Sequence, residues 1–157
     1  MAMISSKAAA IIAMAGLGLV IGAGLIFGMR SRITAQTIAS GAVLYTENCA
    51  SCHGAKLAGQ ADWQNAKSDG TYPAPPHDES GHTWHHGDAM LTEYITIGGQ
   101  AALTKIGVAF KSGMPAFGET LEQGQIAEIL AYVRSTWPER AQAFQIAATE
   151  NEKLDQP

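Results

Sequence analysis

The stretch CASCH, Cys49 to His53, places the strongest constraint on what this chain can fold into. It holds the only two cysteines of the 157 residues, and a histidine follows the second cysteine directly. Two cysteines are too few for a disulfide scaffold in a chain of this length. The roles left for the pair are half of a zinc site, a thiol redox couple, or the covalent attachment point of a larger group.

Zinc and thiol chemistry both fit this motif poorly. A zinc site needs four ligands, and the cysteines supply two. The histidines that could complete it begin later after Cys52 than zinc-finger spacing allows; they are His77, His82, His85 and His86. A redox pair of the thioredoxin kind lies at the start of a helix after a strand. Here the pair ends a predicted helix, and no strand is predicted.

Attachment of a c-type haem accounts for each position of the motif. Two thiols three residues apart at the end of a helix can add to the two vinyl groups of one haem. The next residue then lies beneath the iron, where an imidazole Nε2 can bind it. The motif therefore predicts one covalent haem c, held by Cys49 and Cys52, with His53 as the proximal iron ligand.

The rest of the polar region predicts an all-α domain. Apolar periodicity and capping patterns indicate helices over residues 39–50, 89–97 and 120–137, with a further short helix at 139–148. The predicted N-terminal capping residues are Ser40, Asp88 and Thr120. Residues 99–119 read as irregular. No alternating apolar and polar run of useful length indicates a strand.

Residues 54–87 show no periodicity and include Pro73, Pro75 and Pro76. An irregular loop of this length inside a compact domain needs something to organise it. Three short helices bury too little apolar surface to hold so many loop residues in place. The loop is thus a second reason to expect a large apolar cofactor at the centre of the domain.

The N-terminal region predicts a membrane anchor. Residues 8–29 contain no charged side chain. As a helix they span about 33 Å, which matches a bilayer core of about 30 Å. A cleaved secretory signal is the alternative, although its apolar core is usually shorter. The predicted order is an N-terminus at 1–7, the anchor (or uncleaved signal) at 8–29, a linker at 30–38, a domain at 39–137 and an extension at 138–157.

Charge is distributed unevenly along the chain. All fourteen acidic residues follow the apolar segment, whereas three of the ten basic residues flank it. The part after Arg32 has a formal charge of −7, since it holds seven basic and fourteen acidic residues. This charge argues against nucleic acid as a partner, because phosphate binding needs a positive surface. Basic patches on other proteins fit this charge better.

Residues 39–137 resemble a class I cytochrome c domain, and the whole chain resembles a membrane-anchored bacterial monohaem cytochrome c. The resemblance is carried by CASCHG at 49–54, GMPAFGETL at 113–121 and QIAEILAYVRSTWP at 125–138, with HTWHHGDAMLTEYITIGG at 82–99 similar to the middle of such domains. It implies three to four short helices and long loops around one haem, after a single transmembrane helix. It also implies that Gly41 and Tyr45 meet the last helix of the domain.

The resemblance places the second iron ligand at Met114, 61 residues after His53. Pro115 restricts Met114 to an extended conformation, and Gly113 lets the backbone pass close to the haem. The alternatives are a histidine ligand or an open iron position suited to gas binding or peroxidase chemistry; the candidate histidines are His82, His85 and His86. The resemblance also implies a proline carbonyl that accepts the His53 Nδ1–H, and Pro75 or Pro76 is the candidate.

Three further aromatic residues could wall the haem or reach its propionates, although ordinary packing explains each equally well. They are Trp63, Tyr72 and Trp84. Met90, on the second predicted helix, is expected to pack in the core rather than bind iron.

The resemblance implies an electron-transfer protein and not an enzyme. Its expected partners are membrane-associated respiratory proteins: a quinol-oxidising complex or a dehydrogenase as donor, and a terminal oxidase as acceptor. Haem attachment outside the bacterial cytoplasm implies a haem domain in the periplasm, anchored in the inner membrane, with residues 1–7 in the cytoplasm. A haem-bearing subunit of a larger oxidoreductase complex fits as well as a free carrier. A five-coordinate haem enzyme or gas sensor is a third hypothesis.

Overall fold

A computed structural model describes residue 32 and residues 34–154. The anchor predicted over residues 8–29 lies outside the described residues. Within them, no helix is both long and apolar enough to traverse a bilayer. The chain divides between Gln36 and Thr37, and the fold below is that of the second unit and of the helix that leads into it.

Residues 34–154 contain six α-helices, one 3₁₀ turn and no strand, so the all-α prediction is confirmed for this part of the chain. In chain order they are α1 (34–48), α2 (Ala50–His53), the 3₁₀ turn (Thr83–His85), α3 (Asp88–Ile97), α4 (Gly99–Lys105), α5 (Gln123–Ser135) and α6 (Glu139–Leu154). The expected number of three to four helices is too low. α2 and α4 are too short to show an apolar period, and local sequence patterns therefore miss them.

The core lies around α5. This helix buries Ile126, Ile129, Leu130 and Val133, the four residues whose spacing predicted an apolar face. They pack with residues from α1, the loops before α3 and α5, the connection between α5 and α6, and α6 itself, namely Tyr45, Leu57, Leu121, Trp137 and Ala141. Each fully buried aliphatic side chain contributes about 1.5–3 kcal/mol to folding. α5 is therefore the element on which the rest of the domain is assembled.

α1 crosses α5 in close contact, as expected for Gly41 and Tyr45. A Cβ atom at Gly41 would lie 1.9 Å from the carbonyl oxygen of Glu128. The ring centroid of Tyr45 lies 5.5 Å from that of Tyr132. Ser40, however, is not an N-cap, because α1 begins before it. Its hydroxyl instead donates a hydrogen bond to the Glu128 carboxylate across the same crossing (2.5 Å).

Two other predicted caps are displaced. The N-cap of α5 is Glu122, whose side chain and that of Gln125 form a reciprocal capping box; Thr120 instead bonds the Phe117 carbonyl in the preceding turn. The N-cap of α3 is Gly87, and Asp88 is the first helical residue. Gly98 ends α3 as predicted, with φ +82°.

α6 is longer than the predicted helix at 139–148, and its far end supplies the caps that Gly87 cannot. The Glu152 carboxylate accepts hydrogen bonds from the backbone N–H groups of Ala89 (2.9 Å) and Met90 (3.3 Å). The Thr149 hydroxyl accepts one from the N–H of Asp88. These groups are the free donors at the start of α3, where a carboxylate is also favoured by the helix dipole. α6 is thus joined to the start of α3, just after the 3₁₀ turn Thr83–His85.

Candidate cofactor site

The cysteine motif follows the end of α1 with almost no break in the helical path. Cys49 donates its N–H to the Tyr45 carbonyl (2.8 Å), and the His53 N–H bonds the Cys49 carbonyl (2.9 Å) across α2. Gly54 then leaves the helix with φ +80°. One helical turn therefore carries both thiols and the imidazole, and the two thiols are free, with Cys52 exposed and Cys49 half-buried.

The Cys49 thiol lacks the character of a redox or zinc-binding cysteine. Burial, and secondarily the neighbouring Cys52, raises the pKa of Cys49 to about 11, so its thiol stays protonated at neutral pH. Reactive and metal-binding cysteines need a depressed pKa, because the thiolate is the active species. Among residues 34–154, no three or more His, Cys, Asp or Glu side chains are grouped as a metal site would require.

His53 is buried and held in one orientation. Its Nδ1 lies 2.9 Å from the carbonyl oxygen of Pro75. Because a carbonyl only accepts hydrogen bonds, Nδ1 must carry the proton and Nε2 keeps its lone pair. Burial lowers the pKa of His53, an effect that outweighs the bond to Pro75, and this favours the neutral ring. A neutral imidazole with a free, oriented Nε2 is the form that binds a metal.

The Pro75 carbonyl is itself fixed by the loop that follows the motif. Gly59 donates its N–H to the His53 carbonyl (2.8 Å), and the N–H of Gln60 bonds the Ala74 carbonyl (2.9 Å). The backbone there is so close that a Cβ at Gly59 would lie 2.7 Å from the carbonyl carbon of Pro75. Gly59 also has φ +68°, a conformation that suits glycine. The segments around Gly59 and Pro75 are thus bonded to each other, and together they fix the orientation of the His53 ring.

His77 lies on the other face of the loop, against His53. The two rings are stacked, with centroids 3.9 Å apart and planes 21° apart. The His77 Nδ1 lies 2.8 Å from the Thr83 hydroxyl, and the Trp137 indole donates to the His77 carbonyl (2.7 Å). Burial lowers the pKa of His77 to about 3, so the ring adds no positive charge beside His53. The sequence indicates His77 only as a possible zinc ligand, because no local pattern marks a contact made over 24 residues.

Met114 lies half-buried in a loop that is tied to α3 and α4. Its carbonyl accepts the N–H of Gly99 (3.1 Å), and its own N–H donates to the Ser112 hydroxyl (3.2 Å). The loop passes so close to Gly98 that a Cβ there would lie 2.8 Å from the nitrogen of Ala116. The Gly98–Gly99 pair thus has a second role besides ending α3, which is to let the Met114 loop approach.

The other candidate residues make aromatic ring contacts with one another or with a phenylalanine. His82 stacks on Trp63, with centroids 5.8 Å apart, and meets His86 edge-on. His85 packs against Trp84 and Phe144. Tyr72 stacks on Phe110, with centroids 4.2 Å apart. Of the two candidate prolines, it is Pro75 whose carbonyl oxygen meets His53. Pro76 instead lies next to Gly59 and Gly81.

The donor set fits a covalent haem: two free thiols and an oriented neutral imidazole share one helical turn. The model of the family described as cytochrome c oxidase, cbb3-type, subunit III matches residues 36–133. No curated protein and no solved structure matches the chain. The match covers more than half of the chain, which therefore belongs to this family of class I-type cytochrome c domains. It is a monohaem cytochrome c that binds haem c covalently, and its chemistry is haem-based electron transfer.

Proposed function

We propose that this cytochrome is a one-electron carrier whose iron is bound by His53 and Met114, and whose haem is attached through Cys49 and Cys52. The contact between His53 Nδ1 and the Pro75 carbonyl carries the proposal, because it leaves Nε2 unprotonated and aimed by a fixed ring. Bound haem c supplies a single ferric–ferrous couple. The chain supplies two neutral ligands, and a methionine opposite histidine raises the reduction potential of such a couple.

The contacts of two of the three rival histidines support Met114. His82 and His85 are each engaged with a tryptophan ring, Trp63 and Trp84 respectively. Moving either ring to the iron would cost its contact with that tryptophan. The backbone of Met114 is anchored on both sides. A thioether is only a weak hydrogen-bond acceptor, so little hydrogen bonding is lost when it binds iron.

The decisive experiment is the absorption spectrum of the oxidised protein, since an iron–sulfur bond to methionine gives a far-red charge-transfer band. We expect the band in the wild type and its loss in Met114→Ala. Met90→Ala is the matched control, because Met90 is also a half-buried methionine but lies on α3. Its band should be unchanged. A Met114→Ala spectrum identical to that of the wild type would show that another residue binds the iron.

We further propose that residues 8–29 anchor the protein in the bacterial inner membrane, with the haem domain in the periplasm. Residues 1–7 would then lie in the cytoplasm. The uncharged run of residues 8–29 is long enough to cross a bilayer core, and this supports the anchor. An anchored carrier is confined near membrane-bound partners, which raises their effective concentration. Recovery of the full-length chain in the washed soluble fraction, rather than with the membranes, would refute the anchor.

The partners we propose are membrane-associated respiratory proteins: a quinol-oxidising complex or a dehydrogenase as donor and a terminal oxidase as acceptor. The family description names an oxidase subunit, and this favours a second candidate function, a haem-bearing subunit of a larger oxidoreductase complex. Purification from mild detergent separates the two. A subunit would co-purify with other chains in fixed ratio, whereas a carrier would be recovered alone.

A further inference from the structure

Two loops that are far apart in the chain are joined at one place. The rings of Tyr72 and Phe110 stack, with centroids 4.2 Å and planes 21° apart. The N–H of Tyr72 donates to the Lys111 carbonyl (3.4 Å), and the Lys111 ammonium donates to the Asp69 carbonyl (2.6 Å). We call these four residues the loop clamp. Among residues 34–154, these two are the hydrogen bonds that connect residues 54–87 with residues 106–118.

One side of the loop clamp is a turn held by hydrogen bonds of its own. The turn that presents Asp69 is closed by bonds from the Lys67 N–H to the Thr71 carbonyl (2.8 Å) and from the Gly70 N–H to the Lys67 carbonyl (2.9 Å). The Asp69 carboxylate also accepts from both the N–H and the hydroxyl of Thr71. Such side chain–backbone bonds stabilise turns. The turn is therefore a formed surface for Phe110 and Lys111 to dock on.

Along the chain, each side of the loop clamp lies three residues before a residue of the proposed iron site, Pro75 on one side and Met114 on the other. Tyr72 precedes Pro75, which holds His53, by three residues, and Pro73 stiffens the chain between them. On the other side, Lys111 precedes Met114 by three residues. The chain before it is exposed and turns at Gly107 with φ +73°. Besides the clamp, that side of the Met114 loop is held at Ser112, whose N–H donates to the Gln100 side chain (3.1 Å) and which is hydrogen-bonded to the Tyr94 side chain. The Val108 N–H also donates to the Leu103 carbonyl (3.0 Å).

We propose that Tyr72 and Phe110, assisted by Lys111, are positioning residues that keep the Met114 loop closed towards the His53 side. They thereby set how readily another ligand displaces Met114. The proposal rests on Met114 binding the iron, as proposed above. An external ligand can bind the iron only in molecules whose Met114 loop is open. Its apparent affinity therefore rises in proportion to the fraction of molecules in which the loop is open.

The test is an optical titration of the oxidised holoprotein with imidazole, following the far-red band. Phe110→Leu keeps an apolar side chain but removes the stack, and we expect it to raise imidazole affinity about three- to tenfold, the range for an aromatic pair. Adding Tyr72→Leu should raise it little further, since both variants remove the same contact. Phe144→Leu is the matched control: Phe144 is also exposed and pairs with Trp84 away from this loop.

The outcomes separate this proposal from the ligand assignment. An affinity in Phe110→Leu equal to the wild type, or an equal rise in Phe144→Leu, overturns the loop clamp while Met114→Ala still loses the band. A band that survives Met114→Ala refutes the ligand assignment, and the loop clamp falls with it. If Phe110→Leu does not fold, Lys111→Met serves instead. It removes the bond to Asp69, and we expect a rise of about twofold.

Discussion

The substitution Gly41→Ala tests the contact between α1 and α5. The new Cβ would lie 1.9 Å from the Glu128 carbonyl oxygen, 2.5 Å from its carbonyl carbon and 3.0 Å from the Cβ of Tyr132. The nearest two atoms are backbone within a helix, so no side-chain rotation relieves the clash. To restore ordinary contact distance α1 must retreat by about 1.5 Å. The retreat loosens the Tyr45–Tyr132 contact and the bond from Ser40 to Glu128.

The expected loss of stability follows from three contributions. Overpacking a close contact costs about 1–3 kcal/mol, and more where the backbone must move. Weakening the hydrogen bond and the ring contact adds about 1–2 kcal/mol. Alanine's better helix propensity returns about 1 kcal/mol. We therefore expect Gly41→Ala to lower the free energy of unfolding by about 1–4 kcal/mol, a large part of the 5–15 kcal/mol typical of a domain.

Gly124→Ala is the matched control, since Gly124 is helical in α5 and its added Cβ meets nothing within 4 Å. It should raise stability by about 0.5–1 kcal/mol. The assay is urea unfolding of the holoprotein followed by far-ultraviolet circular dichroism, with both variants compared at equal slope. A Gly41→Ala protein within about 0.5 kcal/mol of the wild type would contradict the reasoning, because the two helices could then not be in backbone contact.

Two further substitutions address pH dependence and the His53 support. The Tyr45 hydroxyl donates to the Gly54 carbonyl (3.0 Å), and burial raises its pKa above the ordinary 10.0. The unfolded chain therefore loses this proton at lower pH than the folded chain, and stability falls as pH rises above about 10. Tyr45→Phe should reduce that fall, which urea unfolding from neutral to alkaline pH would measure. At neutral pH the same substitution should cost about 1 kcal/mol of stability, because it removes the hydrogen bond. Gly59→Ala should displace the Pro75 carbonyl from His53 and, by making the imidazole less basic, raise the reduction potential by roughly tens of millivolts in a redox titration. An unchanged potential would show that the Pro75 bond survives.

Much of this protein can be predicted from local sequence. The CASCH motif acts within one helical turn, so its spacing alone indicates which atoms share a face. The buried face of α5 follows from the helical spacing of its four apolar residues. The irregular character of 54–82 follows from its prolines and from the absence of an apolar period. The family is equally readable, because its motifs are short and contiguous.

The tertiary structure decided what depends on distant contacts. Ser40 bonds a residue 88 positions away instead of capping its own helix, and Glu152 caps a helix 63 positions earlier. The choice of Pro75 over Pro76, the stacking of His77 on His53, and the meeting of Tyr72 with Phe110 belong to the same class. Each is selected by shape and burial once the chain has closed on itself, and no periodicity in the sequence records which loop will lie beside which.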